Sequence, residues 1–185
     1  MSHPYGAAGR SQREGPARRM SPFMGSHQNK LDGKGRVSVP ASFRAVLRRY
    51  AGAADEDALC RMVLRKSHQL PCIEAWPEAV FAHLGAQLDR IPLFSPAYDA
   101  MAAAIFAEVT AAETDREGRI VLPESMASHA NIAGTVQFVG FGRHFRLWQP
   151  DAWAAEQARA RDYAATQGLT LMLADFDPFP RMAAP

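Results

Sequence analysis

The sequence predicts a mostly β protein with helices, of the α+β class, built from two copies of one structural unit. A nine-residue pattern, D-x-x-G-R-[VI]-x-[VL]-P, occupies residues 32–40 and returns 83 positions later at residues 115–123. A helical pattern and two short strand patterns follow each copy in the same order. Such self-similarity is typical of a duplicated supersecondary unit, and 185 residues are enough to bury a proper core.

The first unit is expected to pass through a strand, a tight turn, a returning strand, a helix and a further strand pair. These elements fall at residues 27–31, 32–35, 36–39, 40–50, 59–66 and 70–76. Gly35 fits the fourth turn position because glycine takes positive φ angles without strain. The helix is indicated by four apolar residues spaced to share one face: Phe43, Val46, Leu47 and Tyr50.

The second unit repeats this order, with Gly118 at the turn position of Gly35. Its elements are expected at residues 108–114, 115–118, 119–122, 124–130, 135–141 and 144–148. Two helical segments link the units, and Ser95 is the expected N-cap of the second. The chain is therefore divided into a disordered basic extension, a first half-domain, linking helices, a second half-domain, a C-terminal helix and a tail. Their bounds are residues 1–22, 23–76, 77–109, 110–153, 154–168 and 169–185.

Charge is unevenly distributed along the chain. Residues 1–50 hold ten Lys and Arg against two acids, a net charge of +8, whereas the other 135 residues hold eleven against seventeen, a net charge of −6. This asymmetry indicates a polyanionic partner for the N-terminal part, and a solvated basic tail explains the first twenty residues equally well. Residues 1–22 lack the apolar run of a signal peptide, and the most apolar stretch, residues 95–112, is short for a membrane span. A cytoplasmic protein that does not engage a membrane is expected.

The sequence contains no recognisable catalytic or metal-binding pattern. Nucleophile, metalloprotease and nucleotide-binding motifs are missing, and the six histidines lack metal-ligand spacing. We therefore expect no enzyme activity, cofactor, metal or small-molecule substrate. Asp32 and Asp115 are assigned to the turns, where a short carboxylate accepts hydrogen bonds from nearby backbone N–H groups. Cys60 and Cys72 are expected to be free thiols rather than a disulfide.

Arg36 and Arg119, which directly follow the two turns, have two interpretations. Each guanidinium either pins its turn through a salt bridge to the turn aspartate or projects beside the turn towards phosphate or a guanine edge. The surroundings differ between the copies. The first is surrounded by Lys30, Lys34, Arg44, Arg48 and Arg49. The second has acids close to Arg116 and Arg119, namely Glu113, Asp115, Glu117 and Glu124. A polyanion should prefer the first copy.

The run L-D-x-K-G-R-V-S-V-P-x-x-F-R at residues 31–44, with a second D-x-x-G-R downstream, resembles the MraZ family of bacterial regulators. These proteins carry two AbrB-like (SpoVT-AbrB) half-domains, and the run V-G-F-G-x-x-F-x-L-W at residues 139–148 adds to the resemblance. The resemblance implies an intrachain double-ψ, swapped-hairpin AbrB-like β-barrel with packing helices. It also implies a ring-like homo-oligomer in the nucleoid. This oligomer would bind repeated sites in double-stranded DNA of its own upstream promoter region, at the division and cell-wall gene cluster, with repression as the expected outcome.

The resemblance matches Lys34, Arg36 and Arg44 to the family's DNA-contacting basic positions. The charge cluster adds Lys30 and Arg48 to this set. Arg116 and Arg119 are secondary candidates, because Ala127 stands where the second copy would carry the counterpart of Arg44. The structural turn residues are Asp32, Gly35, Asp115 and Gly118.

A protein-interaction module is the alternative function. Antitoxins with AbrB-like hairpins bind a partner protein through a C-terminal segment, and residues 169–185 carry leucines and phenylalanines among prolines. That tail would then dock on a partner.

Overall fold

The computed structural model describes residues 22–53, 55, 57–86 and 88–167. This part of the chain combines strands and α-helices in a mixed α+β arrangement, which confirms the predicted class. The expectations for the N-terminal extension up to residue 21 and for the tail at 169–185 lie outside the described residues.

The elements follow the order expected from the sequence. The first unit contains β1 (Ser26–Lys30), β2 (Arg36–Ser38), α1 (Ala41–Tyr50), β3 (Arg61–Lys66) and β4 (Ile73–Pro77). The linking segment contains α2 (Glu78–Gly85), a short 3₁₀ helix (Leu88–Arg90) and α3 (Pro96–Phe106). The second unit contains β5 (Val109–Glu113), β6 (Arg119–Val121), α4 (Glu124–His129), β7 (Thr135–Gly140) and β8 (Phe145–Trp148), and α5 (Pro150–Thr166) follows it. Ser95 caps α3 as predicted, since its side chain accepts a hydrogen bond from the Tyr98 N–H at 3.1 Å.

The two units interlock through their strands. Six strands form an antiparallel sheet in the order β1-β7-β8-β4-β3-β5, and β2 pairs with β6 in a separate two-stranded ribbon. β1 and β2 were expected to be partners across their turn. Their backbones meet only near the turn, at the bridge between Leu31 and Val37 and the bond from the Asp32 N–H to the Arg36 carbonyl. One side-chain bond also joins them, since Asn29 Nδ2 donates to the Ser38 carbonyl at 2.6 Å. Beyond that point each strand pairs with the other unit, because the turn directs the chain out of its own ladder.

The cross-unit pairing agrees with the swapped hairpins that the family resemblance implies, but a closed barrel is not found. Within the described residues β1 and β5 are the edges of the sheet, each with one partner strand, and the ribbon stands apart. The hydrogen-bond ladder therefore does not close on itself. The AbrB-like double-ψ barrel is not confirmed.

The main core lies between one face of the sheet and the ribbon with α1 and α4. Val37 and Ile120, the central residues of the ribbon, are each 1% exposed and belong to this cluster. Phe43, Val46 and Leu47 of α1 are buried beside them, as their helical spacing predicts. Full burial of each such side chain contributes about 1.5–3 kcal/mol. The ribbon is thereby fixed on its inner side and leaves its other side exposed.

The opposite face of the sheet carries a buried ionic row. Arg65, Glu74 and Arg146 are direct neighbours on β3, β4 and β8. The Arg65 Nη2 lies 2.6 Å from Glu74 Oε2, and the Arg146 Nη2 lies 3.6 Å from Glu74 Oε1. Beside the row, Cys72 packs against Trp148, and burial raises the pKa of its thiol to about 11. Both cysteines are free and buried, as predicted.

Candidate nucleic-acid interface

The first turn is held together by the side chain of its aspartate. Asp32 Oδ1 accepts hydrogen bonds from the backbone N–H groups of Lys34 and Arg36, both at 2.9 Å. The Arg36 Nε donates to Asp32 Oδ2 at 2.8 Å. These bonds, led by the one from the Arg36 backbone N–H, hold the pKa of Asp32 below its usual range. Gly35 follows with φ of +72°, a backbone conformation that glycine takes without strain.

The second turn repeats this geometry. Asp115 Oδ1 accepts from the backbone N–H groups of Glu117 at 3.0 Å and Arg119 at 2.8 Å, and the Arg119 Nε donates to Oδ2 at 2.8 Å. The pKa of Asp115 is lowered by the same causes, with the Arg119 backbone hydrogen bond first. Gly118 takes φ of +77°. Both arginines therefore pin their turns, which is the structural one of the two interpretations offered by the sequence.

The two turns differ in net charge and in how many carboxylates their arginine binds. Asp32, Lys34 and Arg36 sum to +1 at the first turn. At the second turn Glu117 replaces Lys34, and its carboxylate takes a second hydrogen bond from Arg119 Nη2 at 3.0 Å. In the part of the chain that the structure describes, Arg36 Nη1 and Nη2 have no such partner. Arg36 therefore combines a pinning role with donor groups that can reach an external acceptor.

The turns lie at opposite ends of the β2–β6 ribbon. The Leu122 N–H donates to the Gly35 carbonyl at 2.8 Å, and the Val39 N–H donates to the Gly118 carbonyl at 2.9 Å. Gly35 and Val39 are four residues apart on one strand. At about 3.4 Å per residue, the ribbon ends are separated by about 14 Å.

Arg44 extends from α1 to the second turn rather than to the first. Its Nη1 donates to the Val39 carbonyl at 2.6 Å. A Cβ added to the buried Gly118 would lie only 2.6 Å from that nitrogen. The glycine therefore provides both the turn conformation and the space through which the guanidinium passes. Ala127 occupies the equivalent position on α4, so the first turn receives no such arginine.

The structure thus divides the predicted basic set. Lys34 and Arg36 lie at the first turn, and Lys30 ends β1 immediately before it. Arg44 and Arg48 lie instead beside Arg116 at the second turn, where they line one polar cleft. Sequence reasoning missed this exchange because it depends on strand pairing between the units, which no local pattern specifies.

The exposed face of the ribbon joins the two turns. Val37 and Ile120 point into the core, so alternation directs their strand neighbours outwards. The outward pairs are Arg36 with Val121 and Ser38 with Arg119. Val121 is 62% exposed, which is unusual for a strand valine in a small sheet. The result is a narrow surface with two guanidinium groups, a hydroxyl and an apolar side chain.

Within the described ranges, no cluster of three or more His, Cys, Asp or Glu residues could hold a metal ion. None of the helices there combines the length and apolar character needed to cross a membrane.

Fold and site together define a tandem-repeat α+β protein in which two pinned turns close the ends of one cross-unit ribbon. Known proteins are similar to this chain in sequence. A family profile described as "MraZ protein, putative antitoxin-like" matches residues 22–103 and again residues 105–172. The chain belongs to the MraZ family, and the two matched segments confirm the repeat.

Individual relatives carry a functional name. The transcriptional regulator MraZ of Gluconacetobacter diazotrophicus is 52% identical over 142 residues, covering 77% of this chain and 87% of the relative. That of Gluconobacter oxydans is 44% identical over 147 residues, covering 80% and 87%. That of Rhodospirillum rubrum is 36% identical over 156 residues, covering 80% and 93%. The family is therefore one of transcriptional regulators, a class that is generally not enzymatic.

Proposed function

We propose that this protein is a sequence-specific DNA-binding regulator of transcription that contacts DNA through its first turn and the ribbon beside it. The observation that carries the proposal is the difference between two turns of equal geometry. At the first, within the part of the chain that the structure describes, the Lys34 side chain and the Nη1 and Nη2 groups of Arg36 have no hydrogen-bond or ion-pair partner. The second has Arg119 bound to two carboxylates. Phosphate contacts supply most non-specific affinity, so a polyanion favours the first turn.

The ribbon supports base recognition beside these phosphate contacts. The major groove of B-DNA admits a two-stranded β-ribbon, and arginine is the commonest side chain that reads guanine there. Arg36 and Arg119 lie on the exposed face together with Val121, an apolar group that can contact a thymine methyl. One base-reading arginine contributes about 1–3 kcal/mol of discrimination.

The proposal extends to the assembly and the target. A single small module that makes a few phosphate contacts binds DNA non-specifically at about 10⁻⁴–10⁻⁶ M. Joining copies in a ring raises avidity about 10²–10⁴-fold when several sites are engaged together. We therefore propose that a ring in the nucleoid binds repeated sites upstream of the division and cell-wall gene cluster and represses transcription there. Several sites engaged together would give the ring the gain in avidity that a single module lacks. The cross-unit strand pairing likewise supports an AbrB-like origin of the fold.

The test compares the two turns on a DNA duplex from the gene's own upstream region. Lys34→Ala combined with Arg36→Ala should abolish specific binding in fluorescence anisotropy while the oligomer remains intact by light scattering. Arg119→Ala should cost much less affinity, because its guanidinium is already neutralised by Asp115 and Glu117. Undiminished binding by the double variant refutes the proposal, and equal losses show that both turns contact DNA alike.

A protein-interaction function is the second candidate, favoured by the words "antitoxin-like" in the family description. The partner would dock on residues 169–185, which combine leucines and phenylalanines with Asp175 and Asp177. A co-purifying protein that is lost when these residues are deleted supports this candidate. DNA binding should survive the same deletion, because the ribbon lies far from it in sequence.

A further inference from the structure

A polar cleft lies between α1 and the second turn. It encloses about 130 Å³ and is lined by residues of both units, among them Arg44, Arg48, Arg116 and Asp57. A water molecule takes about 30 Å³ of liquid volume, so the cleft has room for a tetrahedral anion. Because the cleft depends on the exchange of strands between the units, it does not exist in either unit alone.

Three arginines give this cleft an excess of positive charge. Arg44 uses one nitrogen to donate to the Val39 carbonyl. Within the described residues, the side-chain hydrogen bond of Arg48 is a long contact of 3.7 Å from its Nη1 to the Cys60 sulfur. Arg116 is exposed and has no hydrogen-bond or ion-pair partner within the described residues. Among the described lining residues, two carboxylates oppose them. Asp115 is already neutralised by Arg119, so Asp57 is the acid in this described set that has no ion-pair partner.

We propose that this cleft binds a phosphate group of the DNA backbone. The proposal rests on the proposed DNA-binding function and adds a second anchoring point at the other end of the ribbon. Guanidinium groups suit phosphate because their planar N–H donors match its oxygens. The two ribbon ends are about 14 Å apart, close to the major-groove width of about 12 Å. Each end of the ribbon can therefore hold a phosphate on its own side of the groove while the ribbon faces the base edges.

A phosphate site in this cleft gives the second unit a role in DNA binding. Its turn does not compete with the first turn for DNA through Arg119, which remains internally paired. It contributes Arg116 to a site whose other two cations come from the first unit. The alternative to phosphate binding is an ion pair between Asp57 and Arg48 or Arg116, because the cleft would then be filled by a protein carboxylate. Substitution of Asp57 distinguishes phosphate binding from the internal ion pair.

The experiment uses the full chain and two duplexes, one from the gene's own upstream region and one of random sequence. Arg116→Ala should weaken binding to both by the same factor, because a phosphate contact carries no sequence information. The slope of log K against log salt should fall by about 0.9. Between 50 and 200 mM KCl the variant should therefore lose about three- to fourfold less affinity than the parent protein. Asp57→Asn should strengthen binding to both duplexes. Arg161→Ala, an exposed arginine on α5, removes the same charge elsewhere and should change neither quantity.

The outcomes separate this inference from the function on which it rests. If the Lys34 and Arg36 substitutions weaken binding but Arg116→Ala matches Arg161→Ala, the cleft assignment is wrong and the DNA-binding proposal stands. If neither set weakens binding, the proposed function itself fails. Inorganic phosphate is the second probe, followed by NMR of the arginine Nε–H signals. Phosphate binding that Arg116→Glu abolishes, with an unchanged salt slope on DNA, overturns the DNA assignment in favour of a free anion.

Discussion

Replacing Glu74 by glutamine should be among the most destabilising polar substitutions in this protein. The carboxylate is 6% exposed and lies between Arg65 and Arg146, whose side chains are 11% and 20% exposed. It also accepts a hydrogen bond from Trp76 Nε1 at 3.3 Å. Glutamine preserves the shape of the side chain but leaves two largely buried guanidinium groups without a counter-charge. Removing one partner from a buried ionic group costs about 3–5 kcal/mol.

The cost can be measured as a change in thermal stability. In a domain of this size each kcal/mol shifts Tm by about 2–4 °C, so Glu74→Gln should lower Tm by about 6–20 °C at pH 7 in circular dichroism. The matched control is Glu113→Gln, which breaks the Arg61–Glu113 pair of 2.8 Å between β3 and β5. That pair is 66% and 44% exposed, so Tm should hardly change.

The pH dependence provides a second check on the same prediction. Desolvation alone would raise the pKa of Glu74. The hydrogen bonds and charge of Arg65, together with the charge of Arg146, outweigh it and hold the pKa below its usual range. The ionised carboxylate therefore stabilises the fold above the unfolded-state pKa, and this stabilisation is lost as pH falls through the folded-state pKa. The gap in Tm between parent and Glu74→Gln should close at low pH. A Tm loss no larger than that of Glu113→Gln, or a gap independent of pH, would refute the reasoning.

Two further predictions concern the turn and the histidine beside the ionic row. Gly118→Ala forces an alanine to adopt φ of +77°, and its Cβ displaces Arg44 from the Val39 carbonyl. The free energy of unfolding should therefore fall by at least about 1–2 kcal/mol. Gly33→Ala, with no atom near the added Cβ, should leave Tm unchanged, and equal Tm values for the two variants would contradict the assignment. Burial and the charge of Arg146 lower the pKa of His144 to about 4. Between pH 6.5 and 4 the native state then binds fewer protons than the unfolded chain. The free energy of unfolding should therefore decrease as the pH is lowered from 6.5 to 4. NMR titration measures this pKa, and His144→Phe should flatten the pH dependence.

Local features of this protein were predictable from sequence because local chemistry fixes them. The D-x-x-G spacing predicts the turn, since an aspartate that accepts backbone N–H bonds and a glycine with positive φ lie within five residues. The helical spacing of Phe43 and Leu47 likewise predicts the buried face of α1. The partner of each strand was not predictable in this way. Many registers satisfy the same alternating pattern, and the long-range core selects among them.

The consequences of strand pairing were therefore the features that sequence reasoning missed. Arg44 is near the first turn in sequence but beside the second turn in space, because β2 pairs with β6 rather than with β1. The row of Arg65, Glu74 and Arg146 has the same origin, since it depends on the registers of three strands at once. Charge counting along the chain placed six basic residues in one cluster. The exchange of strands leaves Lys30, Lys34 and Arg36 at one end of the ribbon and brings Arg44 and Arg48 to the other.

The interlocked pairing also governs the order in which a newly made chain can become native. Ser26 of β1 pairs with Val139 of β7, so the first strand waits for a partner made more than a hundred residues later. At synthesis rates of about 5–20 residues per second this interval lasts roughly 5–20 seconds. During that time the N-terminal half emerges from the ribosome with unsatisfied strand edges, and loop-closure entropy delays its docking. Release of a shortened chain before β7 would leave β1 without its partner, so synthesis at least through β7 is a condition for folding.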